Sequence, residues 1–592
     1  MKKVLLLLIV LLGSLALTGC TFAPPTINGG NNNQNNSGNN NNNNNNNNFG
    51  GNGTTGVIDK NPGDSLLLEG EDYIDHSAMY DGKKFNFDES KWFINNLTEV
   101  PLPDPYVYEE DGVYYIYGTC DRNGGKSIDC YTTEDFNTFQ RYLDIFTPSG
   151  WEDDESPAVY APELYLFNGV YYLYYSAVDA TGRRYNSVVK AKDSPLGNYN
   201  SAKNTYSFDY INDGSQPMFK NGNESVLDST IFVDDDGQMY MYYAKSSDQQ
   251  HICGVKLINP YTANWSTNKA LVRPGYVDSR FSGSQLLSWE TYSPYDIAEG
   301  PFMLKHDGKY YLTYSVNDCF SRYYNVCYAV SDSPLGNFVK PYTNGQLWTN
   351  LLVGVPSIVS TGTDTVSKKW AGFASGPGHH CFFYSGDQLM IAYHQHQNRD
   401  WHNTGKYSKR YVAFDYVYFD EDGVPFVNGP TWSLEPLPAI ISGYENIATS
   451  ANVISDNVEN DGAVIDNYVV DLSNLKQEAG KEVVLGEGYS YIQLEFDREY
   501  EIGGISIYNS GYYDLIIDNE NSYIEYINFY NGNIVSYPQF CTDKYVNDGK
   551  GFVFPGSAIT VEFSNDIVAD KVVICIYSDR PTQINEIRVY GR

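Results

Sequence analysis

The sequence predicts an all-β protein that consists of a five-bladed β-propeller followed by a β-sandwich. Three observations predict this fold. A hairpin pattern, in which a tight turn joins an apolar strand to a tyrosine-rich strand, occurs five times. The turn glycines are separated by 57, 68, 71 and 78 residues, which leaves room for one four-stranded sheet in each interval. Beyond residue 438 the hairpin pattern stops and shorter alternating strands follow.

The clearest copy of the hairpin runs from Ala298 to Ser315, with its turn at Asp307-Gly308. An Asp-Gly pair between apolar runs is the strongest short-range signal for a β-hairpin. The other four turns contain Gly112, Gly169, Gly237 and Gly386. Repeated β units that are too small to bury their own faces stack radially, as propeller blades do. We therefore expect five blades over residues 101–438.

Each predicted hairpin starts with a polar residue, and these five residues are Asp104, Glu163, Asp228, Glu299 and His379. In a propeller the first strand of each blade lies nearest the axis, so the five side chains should converge at one mouth of the central channel. A lone acid at a strand start is usually solvated or part of a turn. Three or more acids at corresponding places in a repeat indicate a functional site instead.

The surroundings of the acids predict different protonation states. An apolar strand follows Glu299, and desolvation there should raise the pKa of its carboxyl group. Asp228 is followed by Ser229 and Thr230, whose hydroxyl groups should favour its ionised form. One protonated acid that faces ionised carboxylates is what inverting hydrolysis of a glycosidic bond requires. The site is therefore predicted to be that of a glycosidase.

Five motifs together resemble glycoside hydrolase family 43, namely Asp104-Pro105, Ala161-Pro162-Glu163, Leu227-Asp228, Glu299-Gly300-Pro301 and Gly376-Pro377-Gly378-His379. The resemblance implies a five-bladed propeller and an inverting mechanism. It implies Asp104 as general base, Asp228 as the residue that tunes and orients the acid, and Glu299 as general acid. It also implies action on arabinofuranosides, arabinan or β-xylosides of plant cell walls.

The same resemblance implies further site residues. His379 matches a channel histidine that commonly binds a calcium ion, and a hydrogen-bonded histidine without metal is the alternative; the chemistry itself requires no cofactor. Arg410 matches an arginine near the catalytic carboxylates, and an arginine on the surface of a strand is the alternative. Tyr160 stands where the family commonly has tryptophan. The remaining candidate substrate contacts are Trp151, Glu163, Trp289, His394 and Trp401, with aromatic packing as the commoner alternative for the aromatic residues.

The N-terminus is predicted to be a lipoprotein signal peptide over residues 1–20, because two lysines precede a short apolar run. Leu17-Thr18-Gly19-Cys20 resembles a bacterial lipobox, which implies Cys20 as the lipidated residue; ordinary cleavage is the alternative. Residues 21–55 are rich in asparagine and are expected to form a disordered tether. Residues 56–100 are expected to pack on the propeller.

Composition limits the partners of the protein. The formal net charge of −34 argues against nucleic acid or anionic lipid surfaces as partners, because both require a basic protein surface.

Disulfides are permitted in an exported chain, and the pairs Cys120–Cys130 and Cys319–Cys327 are candidates; buried free thiols are the alternative.

Residues 439–592 are predicted to form the sandwich, because apolar residues alternate at Ile492 and Leu494, and again at Ile505 and Ile507. The two ends of this region are similar to discoidin-type, galactose-binding-like modules. That similarity implies a carbohydrate-binding module, with a structural cap as the alternative.

These observations lead to one function and one rival. The first is an exported, lipid-anchored inverting glycosidase that removes arabinofuranosyl or xylosyl units from plant polysaccharide or its oligosaccharides. The rival is a surface lipoprotein that binds sugar without cleaving it.

Overall fold

The structure is a computed structural model, and the residues it describes are 87–95, 100–246, 250–278, 286–291, 296–321, 323–344, 348–354, 374–397, 409–431, 434–469, 483–509, 522–536 and 558–592. Cys20, the tether and Trp401 lie outside these residues. No helix in the described part of the chain is long and apolar enough to cross a membrane.

A short strand, β1 (Trp92–Phe93), precedes five four-stranded antiparallel sheets. The first sheet contains β2 (Tyr106–Glu110), β3 (Val113–Thr119), β4 (Ile128–Thr133) and β5 (Gln140–Phe146). The second contains β6 (Tyr160–Phe167), β7 (Val170–Val178) and β8 (Arg184–Ala191) and, after a small hairpin of β9 (Asn198–Asn200) and β10 (Thr205–Ser207), β11 (Asp209–Tyr210). The third contains β12 (Ser225–Val233), β13 (Met239–Ser246), β14 (His251–Asn259) and β15 (Thr262–Val272).

The fourth sheet contains β16 (Ala298–His306), β17 (Lys309–Val316), β18 (Asn325–Ser331) and β19 (Leu351–Val353). The fifth contains β20 (Ala374–Ser385), β21 (Gln388–Gln397), β22 (Tyr411–Phe419) and β23 (Pro425–Val427). Because each sheet is built from consecutive strands, the five blades of the predicted propeller are confirmed.

The turn chemistry explains the first and fourth hairpins. In the first, Asp111 and Gly112 have φ angles of 54° and 80°, and Asp307 and Gly308 of the fourth have 46° and 74°. Positive φ at both central residues defines the type I′ turn, whose twist matches that of the paired strands. Aspartate tolerates this conformation and glycine adopts it without a steric cost.

Neighbouring blades are joined by tyrosine hydroxyl groups as well as by apolar side chains. Tyr117 of the first blade donates to the carbonyl of Pro195 at 2.7 Å, and Tyr242 of the third donates to that of Pro334 at 2.9 Å. Both acceptors lie in the repeated segment Asp-Ser-Pro-Leu-Gly-Asn, which follows the third strand of blades two and four. The internal repeat therefore has a structural purpose, since it links one blade to the next.

The ring closes where the first and fifth blades meet. Phe136 of the first blade packs edge-on against Phe414 of the fifth, with ring centroids 5.1 Å apart, and it also stacks on Phe383 at 6.2 Å. Outside the blades, β1 pairs with β24 (Glu435–Pro436), which follows the fifth sheet. The described end of the lead segment thus forms a strand with the end of the propeller.

A four-residue helix, α1 (Ala439–Ser442), leads into the C-terminal domain. Its strands are β25 (Glu445–Asn446), β26 (Asn452–Asp456), β27 (Val458–Glu459), β28 (Val483–Leu485), β29 (Gly488–Asn509), β30 (Ser522–Asn531), β31 (Asn533–Ser536), β32 (Ala558–Ser578) and β33 (Thr582–Gly591). The long strands β29 and β32 pair with each other along both halves, and irregularities in register separate the halves. The half that contains the start of β29 pairs with β26 and β30. The half that contains the end of β29 pairs with β33.

The two halves of the β29–β32 pair, with the strands paired to each, enclose one apolar core, which includes Ile492, Leu494, Ile505 and Ile507. The predicted sandwich is therefore confirmed.

The proposed disulfides are wrong, because all four of their cysteines are free thiols. The Cys120 thiol donates to Asp129 Oδ2 at 3.3 Å, whereas Cys130 is buried in the apolar core of the first blade. Cys327 is fully buried on β18, and Cys319 lies in the loop before it. Burial rather than oxidation accounts for Cys120, Cys130 and Cys327.

A buried cluster of charges joins the propeller to the sandwich. Arg588 of β33 lies 3.8 Å from Glu435 of β24 and 3.9 Å from Glu586, and all three residues are at most 2% exposed. The guanidinium group also donates to Tyr508 Oη at 3.1 Å and lies over the ring of Tyr418. Burial raises the pKa of Glu435 to about 8, although Arg588 opposes this shift.

Replacement of Arg588 by leucine is expected to destabilise the protein by about 1.5 to 3 kcal/mol at pH 7, because the buried hydrogen bond from its guanidinium group to Tyr508 is lost. The matched control is Arg592→Leu. Arg592 pairs with Glu501 and Asp566 but is half exposed, and surface pairs contribute about 1 kcal/mol or less. Chemical denaturation of both variants measures the difference, and equal losses would show that the Arg588 cluster does not join the domains.

Candidate active site

The first strand of every blade has a residue with positive φ near its start. These residues are Asp104 (55°), Ala161 (48°), Asp228 (54°), Gly300 (52°) and His379 (46°). In blades two to five the pairing with the second strand shifts register there, so each is a β-bulge. The bulge repeats in four blades, and Asp104 has the same positive φ just before the first strand of blade one, so the five residues take corresponding positions around one mouth of the channel.

This register corrects part of the sequence interpretation. The residues that correspond to Asp104 in blades two and four are Ala161 and Gly300, because both have positive φ at the register shift. Glu299 therefore precedes its bulge by one residue, and Glu163 follows its own bulge by two. The expectation that the polar residues occupy corresponding places in the repeat therefore holds for Asp104, Asp228 and His379 but not for Glu163 and Glu299.

Asp104 is surrounded by hydrogen-bond donors. Its Oδ2 accepts from Thr119 Oγ1 at 2.5 Å, and its Oδ1 accepts from Arg410 Nη1 at 3.1 Å. His379 Nδ1 lies 3.3 Å from the same Oδ1. The carboxyl group is only 9% exposed, so these partners replace most of its water.

The pKa of Asp104 is lower than its ordinary value. Burial alone would raise it, but the charge of Arg410, the charge of His379 and the hydrogen bond from Thr119 together outweigh burial. Burial and the charge of Arg410 lower the pKa of His379 itself, so the permanent charge of Arg410 is the cause that acts at neutral pH. Asp104 is therefore ionised.

Glu299 has the opposite environment. Gln250 Nε2 donates to its Oε2 at 2.6 Å, and the Tyr324 hydroxyl donates to its Oε1 at 3.0 Å. Burial raises the pKa of Glu299 to about 7, and the negative charge of Asp104 adds to this effect, whereas the two hydrogen bonds oppose it. The predicted direction of the shift is confirmed, and its predicted cause, desolvation, is the largest one.

Asp228 is oriented by backbone and hydroxyl groups. Its N–H donates to Ser176 Oγ at 2.9 Å, and its Oδ2 accepts from the Gly300 N–H at 3.3 Å. Gly300 also has to be glycine, because a Cβ there would lie 3.0 Å from the His379 ring. The bulges of blades three, four and five therefore contact one another directly.

The expectation that Ser229 and Thr230 favour the ionised form of Asp228 is wrong. In the described part of the chain the Ser229 hydroxyl has no hydrogen-bond partner, and that of Thr230 lies 3.1 Å from Tyr165 Oη. Burial and the charges of Glu299 and Asp104 instead raise the pKa of Asp228 well above its ordinary value. Two acids that interact this strongly lose their protons in linked steps.

Tyr160 lies among the three acids. Burial raises the pKa of its hydroxyl group, and the charges of Asp228, Glu299 and Asp104 add to this effect. The hydroxyl group is buried and has no hydrogen-bond partner among the described residues. A buried hydroxyl group without a partner is costly, so its donor and acceptor are available to a ligand in the pocket.

His394 supports the site from below rather than lining it. It is fully buried, and its Nδ1 accepts the Asp104 backbone N–H at 3.2 Å. Burial lowers the pKa of His394 far below its usual value, so the ring is neutral and makes no ion pair with Asp104. It stacks on Tyr324 at 5.5 Å with an interplanar angle of 12°, and thereby connects the supports of Asp104 and Glu299.

Three other sequence candidates lie away from the carboxylates. Glu163 is buried two residues past its bulge, where the Tyr165 hydroxyl donates to it at 2.5 Å; burial raises its pKa to about 8. Trp151 packs against the ring of Tyr175. Trp289 is 2% exposed, and its indole N–H donates to Asn350 at 2.9 Å. The assignment of Trp289 as a substrate contact is therefore corrected to a core position.

His379 is the residue expected to bind calcium. Among the described residues, no group of three or more His, Cys, Asp or Glu side chains is arranged to hold a metal ion. The His379 ring lies beside the Asp104 carboxylate and Gly300, and its backbone N–H donates to Ser315 Oγ at 2.7 Å. The described side chains around His379 do not by themselves form a calcium ligand set.

Sequence reasoning missed Thr119, Gln250 and Tyr324, which contact the acids directly. Thr119 ends β3 and Tyr324 precedes β18, so both lie at strand ends that converge on the mouth. The sequence offers no motif for them. Their distance from the acids along the chain, up to 49 residues for Gln250, is closed only by the fold.

Comparison with known proteins decides the family. The sequence profile of glycosyl hydrolases family 43 matches residues 93–425, which is more than half of the chain and includes all three acids. The chain belongs to glycosyl hydrolases family 43. Members of this family are inverting glycosidases, so the propeller is the catalytic domain of an inverting glycosidase.

Three relatives of this family 43 chain illustrate the range of its similarity. It is 25% identical over 335 residues to a β-D-galactofuranosidase from Aspergillus niger, covering 54% of this chain and 80% of the relative. It is 28% identical over 261 residues to xylosidase/arabinosidase 43A from Humicola insolens, covering 38% and 74%. It is 24% identical over 382 residues to an extracellular endo-α-(1→5)-L-arabinanase from Thermotoga petrophila, covering 58% and 75%.

The pH dependence of stability tests whether Glu163 is buried in the folded protein. Its folded pKa of about 8 exceeds the ordinary value of 4.5, so its contribution to stability is complete below pH 4.5 and is lost as the pH rises towards 8. Glu163→Gln should therefore become more stable relative to the wild type between pH 5 and pH 8, by a few kcal/mol at most. Denaturation at both pH values measures this.

Glu109→Gln is the matched control, because it makes the same chemical change at an exposed carboxyl group. A Glu163→Gln difference that changes between pH 5 and pH 8 no more than that of Glu109→Gln would mean that Glu163 is solvated rather than buried.

Proposed function

We propose that the protein hydrolyses arabinofuranosyl or xylosyl linkages in plant polysaccharide or its oligosaccharides. In this proposal Asp104 is the general base, Glu299 the general acid and Asp228 the residue that tunes and orients the acid. The observation that carries it is the opposite pKa shift of two acids in one pocket, lowered at Asp104 and raised to about 7 at Glu299.

The two shifts suit the two halves of an inverting displacement. Ionised Asp104 takes a proton from the attacking water while protonated Glu299 gives a proton to the leaving oxygen. Arg410 and Thr119 hold the base in its charged form and fix its orientation. Gln250 and Tyr324 fix both oxygens of the acid, so that its proton is presented in one direction.

Asp228 acts through Glu299 in this mechanism. Burial and the charges of Glu299 and Asp104 raise the pKa of Asp228, so its effect on the acid is positional rather than that of a fixed negative charge. The Asp228 carboxyl group accepts the N–H of Gly300, the residue after Glu299, and the Asp228 N–H donates to Ser176 Oγ. Asp228 therefore orients the backbone that carries the acid.

The substrate class rests on the names of the relatives together with the pocket. Two of the three relatives above are named for arabinose or xylose linkages. Tyr160 places a tyrosine hydroxyl group without a partner beside the acids, where it can bind a sugar hydroxyl group and also pack its ring on the sugar. The β-D-galactofuranosidase from Aspergillus niger makes a galactofuranoside the first comparison substrate.

The proposal extends to location. We propose that the enzyme is exported and attached to a membrane through lipid on Cys20, because a lysine-led apolar run ends at Leu17-Thr18-Gly19-Cys20. The name of the Thermotoga petrophila relative describes an extracellular protein. Carbohydrate binding by residues 439–592 and a calcium ion near His379 stay predictions.

A substrate panel with a Glu299→Gln control tests the function. The wild type should release sugar from aryl α-L-arabinofuranoside or β-D-xyloside and from arabinan or xylan, and NMR of the first product should show inverted configuration. Glu299→Gln should lower turnover of the polysaccharides by at least about 100-fold, since general acid catalysis contributes 10²- to 10⁴-fold, while circular dichroism shows unchanged folding. Retained turnover would refute the role of Glu299, and sugar binding without hydrolysis would favour the non-catalytic lipoprotein.

Tyr324→Phe should move the high-pH limb of the pH profile of kcat to higher pH. The Tyr324 hydroxyl stabilises ionised Glu299, so its removal raises the pKa of the acid above about 7 and keeps it protonated to higher pH. Hydrogen bonds to charged groups contribute about 1.5 to 3 kcal/mol, which corresponds to a shift of about one to two pH units.

Tyr314→Phe is the control for this measurement, because Tyr314 donates its hydroxyl to Glu290, away from the acids, in the same blade. Its high-pH limb should stay where it is in the wild type. A limb that moves downward in Tyr324→Phe, or moves equally in both variants, would contradict the assignment.

A further inference from the structure

An exposed aromatic residue lies at the rim of the pocket without any role in the mechanism above. Phe320 is 56% exposed and belongs to the loop 317–321 that follows β17. Single exposed apolar residues are common on protein surfaces and by themselves indicate nothing. The position of Phe320 relative to the acids makes it informative.

The Phe320 ring contacts the ion pair of the general base. The guanidinium carbon of Arg410 lies 5.2 Å from the centre of the ring, and the same guanidinium group donates to Asp104. Three residues beyond this loop, Tyr324 donates to Glu299. The connection between β17 and β18 therefore contacts the supports of both proposed catalytic acids, which places Phe320 at the mouth.

The loop holds the ring in this exposed position. Asp318 Oδ1 accepts the Phe320 N–H at 2.8 Å, and the Asp318 carbonyl accepts the Ser321 N–H at 2.8 Å. Buried His396 lies with its Nε2 2.7 Å from the Cys319 carbonyl. The backbone on each side of Phe320 is thus fixed, and a phenyl ring with more than half of its surface in water is kept ready for an apolar partner.

The chemistry of the expected ligand matches this surface. One face of a sugar ring presents C–H groups, and a flat aromatic ring buries those groups while the sugar hydroxyl groups remain in water. Tyr160 already lies among the acids, where the sugar that is cleaved must bind. Phe320 is separated from Asp104 by the Arg410 side chain, so it suits a neighbouring sugar of the same chain.

We propose that Phe320 is a stacking platform for a sugar residue of the substrate outside the catalytic subsite. This proposal rests on the proposed function, since it assigns part of the same binding site. It makes chain length the feature that Phe320 recognises. A substrate with a single sugar gains nothing from the ring, whereas a disaccharide or longer chain does.

A different role for the ring would give a different result. If Phe320 only shields the Arg410–Asp104 pair from water, its removal weakens that pair and raises the pKa of Asp104. The low-pH limb of the pH profile would then move to higher pH, and kcat/KM would fall equally for substrates of every length. A loss of kcat/KM that depends on the length of the substrate therefore distinguishes sugar stacking on Phe320 from shielding of the Arg410–Asp104 pair.

The experiment compares Phe320→Ala, Phe320→Trp and Tyr384→Ala. Tyr384 is 60% exposed but lies beside the Ser385–Gly386 turn, five residues after His379 on β20, so its loss is the matched control. Each variant is assayed for kcat/KM with a glycosyl fluoride of the preferred sugar, whose leaving group is a single atom, and with the disaccharide and trisaccharide of that sugar.

Phe320→Ala should lower kcat/KM for the oligosaccharides by about tenfold, as expected for loss of one aromatic contact. It should leave the glycosyl fluoride rate and the low-pH limb unchanged. Phe320→Trp should retain the oligosaccharide rate, and Tyr384→Ala should match the wild type. Equal losses on all substrates, a shifted low-pH limb or no loss at all would overturn the platform.

Affinity electrophoresis in gels that contain arabinan or xylan separates this proposal from the proposed function, because binding needs no turnover. If the wild type hydrolyses nothing in the panel, the proposed function fails. Retardation that is lost in Phe320→Ala and kept in Tyr384→Ala would still support the platform. Retardation that is equal in both variants, or absent in the wild type, would refute it.

Discussion

The site depends on an unequal distribution of positive charge among three buried acids. Burial raises the cost of ionising all three acids; the charges of Glu299 and Asp104 add to this effect at Asp228, and the charge of Asp104 adds to it at Glu299. Among the contacts of the described residues, Asp104 is the one of the three acids that pairs with an arginine. It is therefore the acid that ionises, and its charge in turn helps Glu299 to keep a proton. One cation thus produces both a base and an acid from similar carboxyl groups.

The propeller supplies the positions for this arrangement, and the residue types supply the chemistry. All five blades have a residue with positive φ near the start of the first strand, and in blades two to five this residue lies in a bulge. Two of the five residues are aspartate, one is histidine, and two are the small residues alanine and glycine. Gly300 leaves room for the His379 ring, which lies beside Asp104. A side chain at Gly300 would displace the histidine and disturb the base from another blade.

The sequence predicted the fold because its signals are local. Turn pairs such as Asp307-Gly308, alternating apolar residues and the regular spacing of five hairpins can all be read within short windows. The three acids could be predicted because they begin those hairpins. Their supports could not, since Thr119, Gln250 and Tyr324 come from strand ends that converge only in the folded ring. The protonation preference of Asp228 was wrong for the same reason: its neighbours in sequence, Ser229 and Thr230, do not bind its carboxyl group, whereas Glu299 of the next blade raises its pKa.

The C-terminal sandwich is connected to the site through the strand that follows Arg410. That strand, β22, ends with Tyr418 under the Arg588 guanidinium group, and its Tyr416 hydroxyl donates to the Pro436 carbonyl at 2.7 Å. Asn95 also donates to the Phe414 carbonyl at 2.7 Å. A strand held at several points along its length cannot shift without breaking buried hydrogen bonds. The sandwich therefore helps to fix the strand that positions Arg410, and this structural contribution is sufficient reason for its close attachment whether or not it also binds carbohydrate.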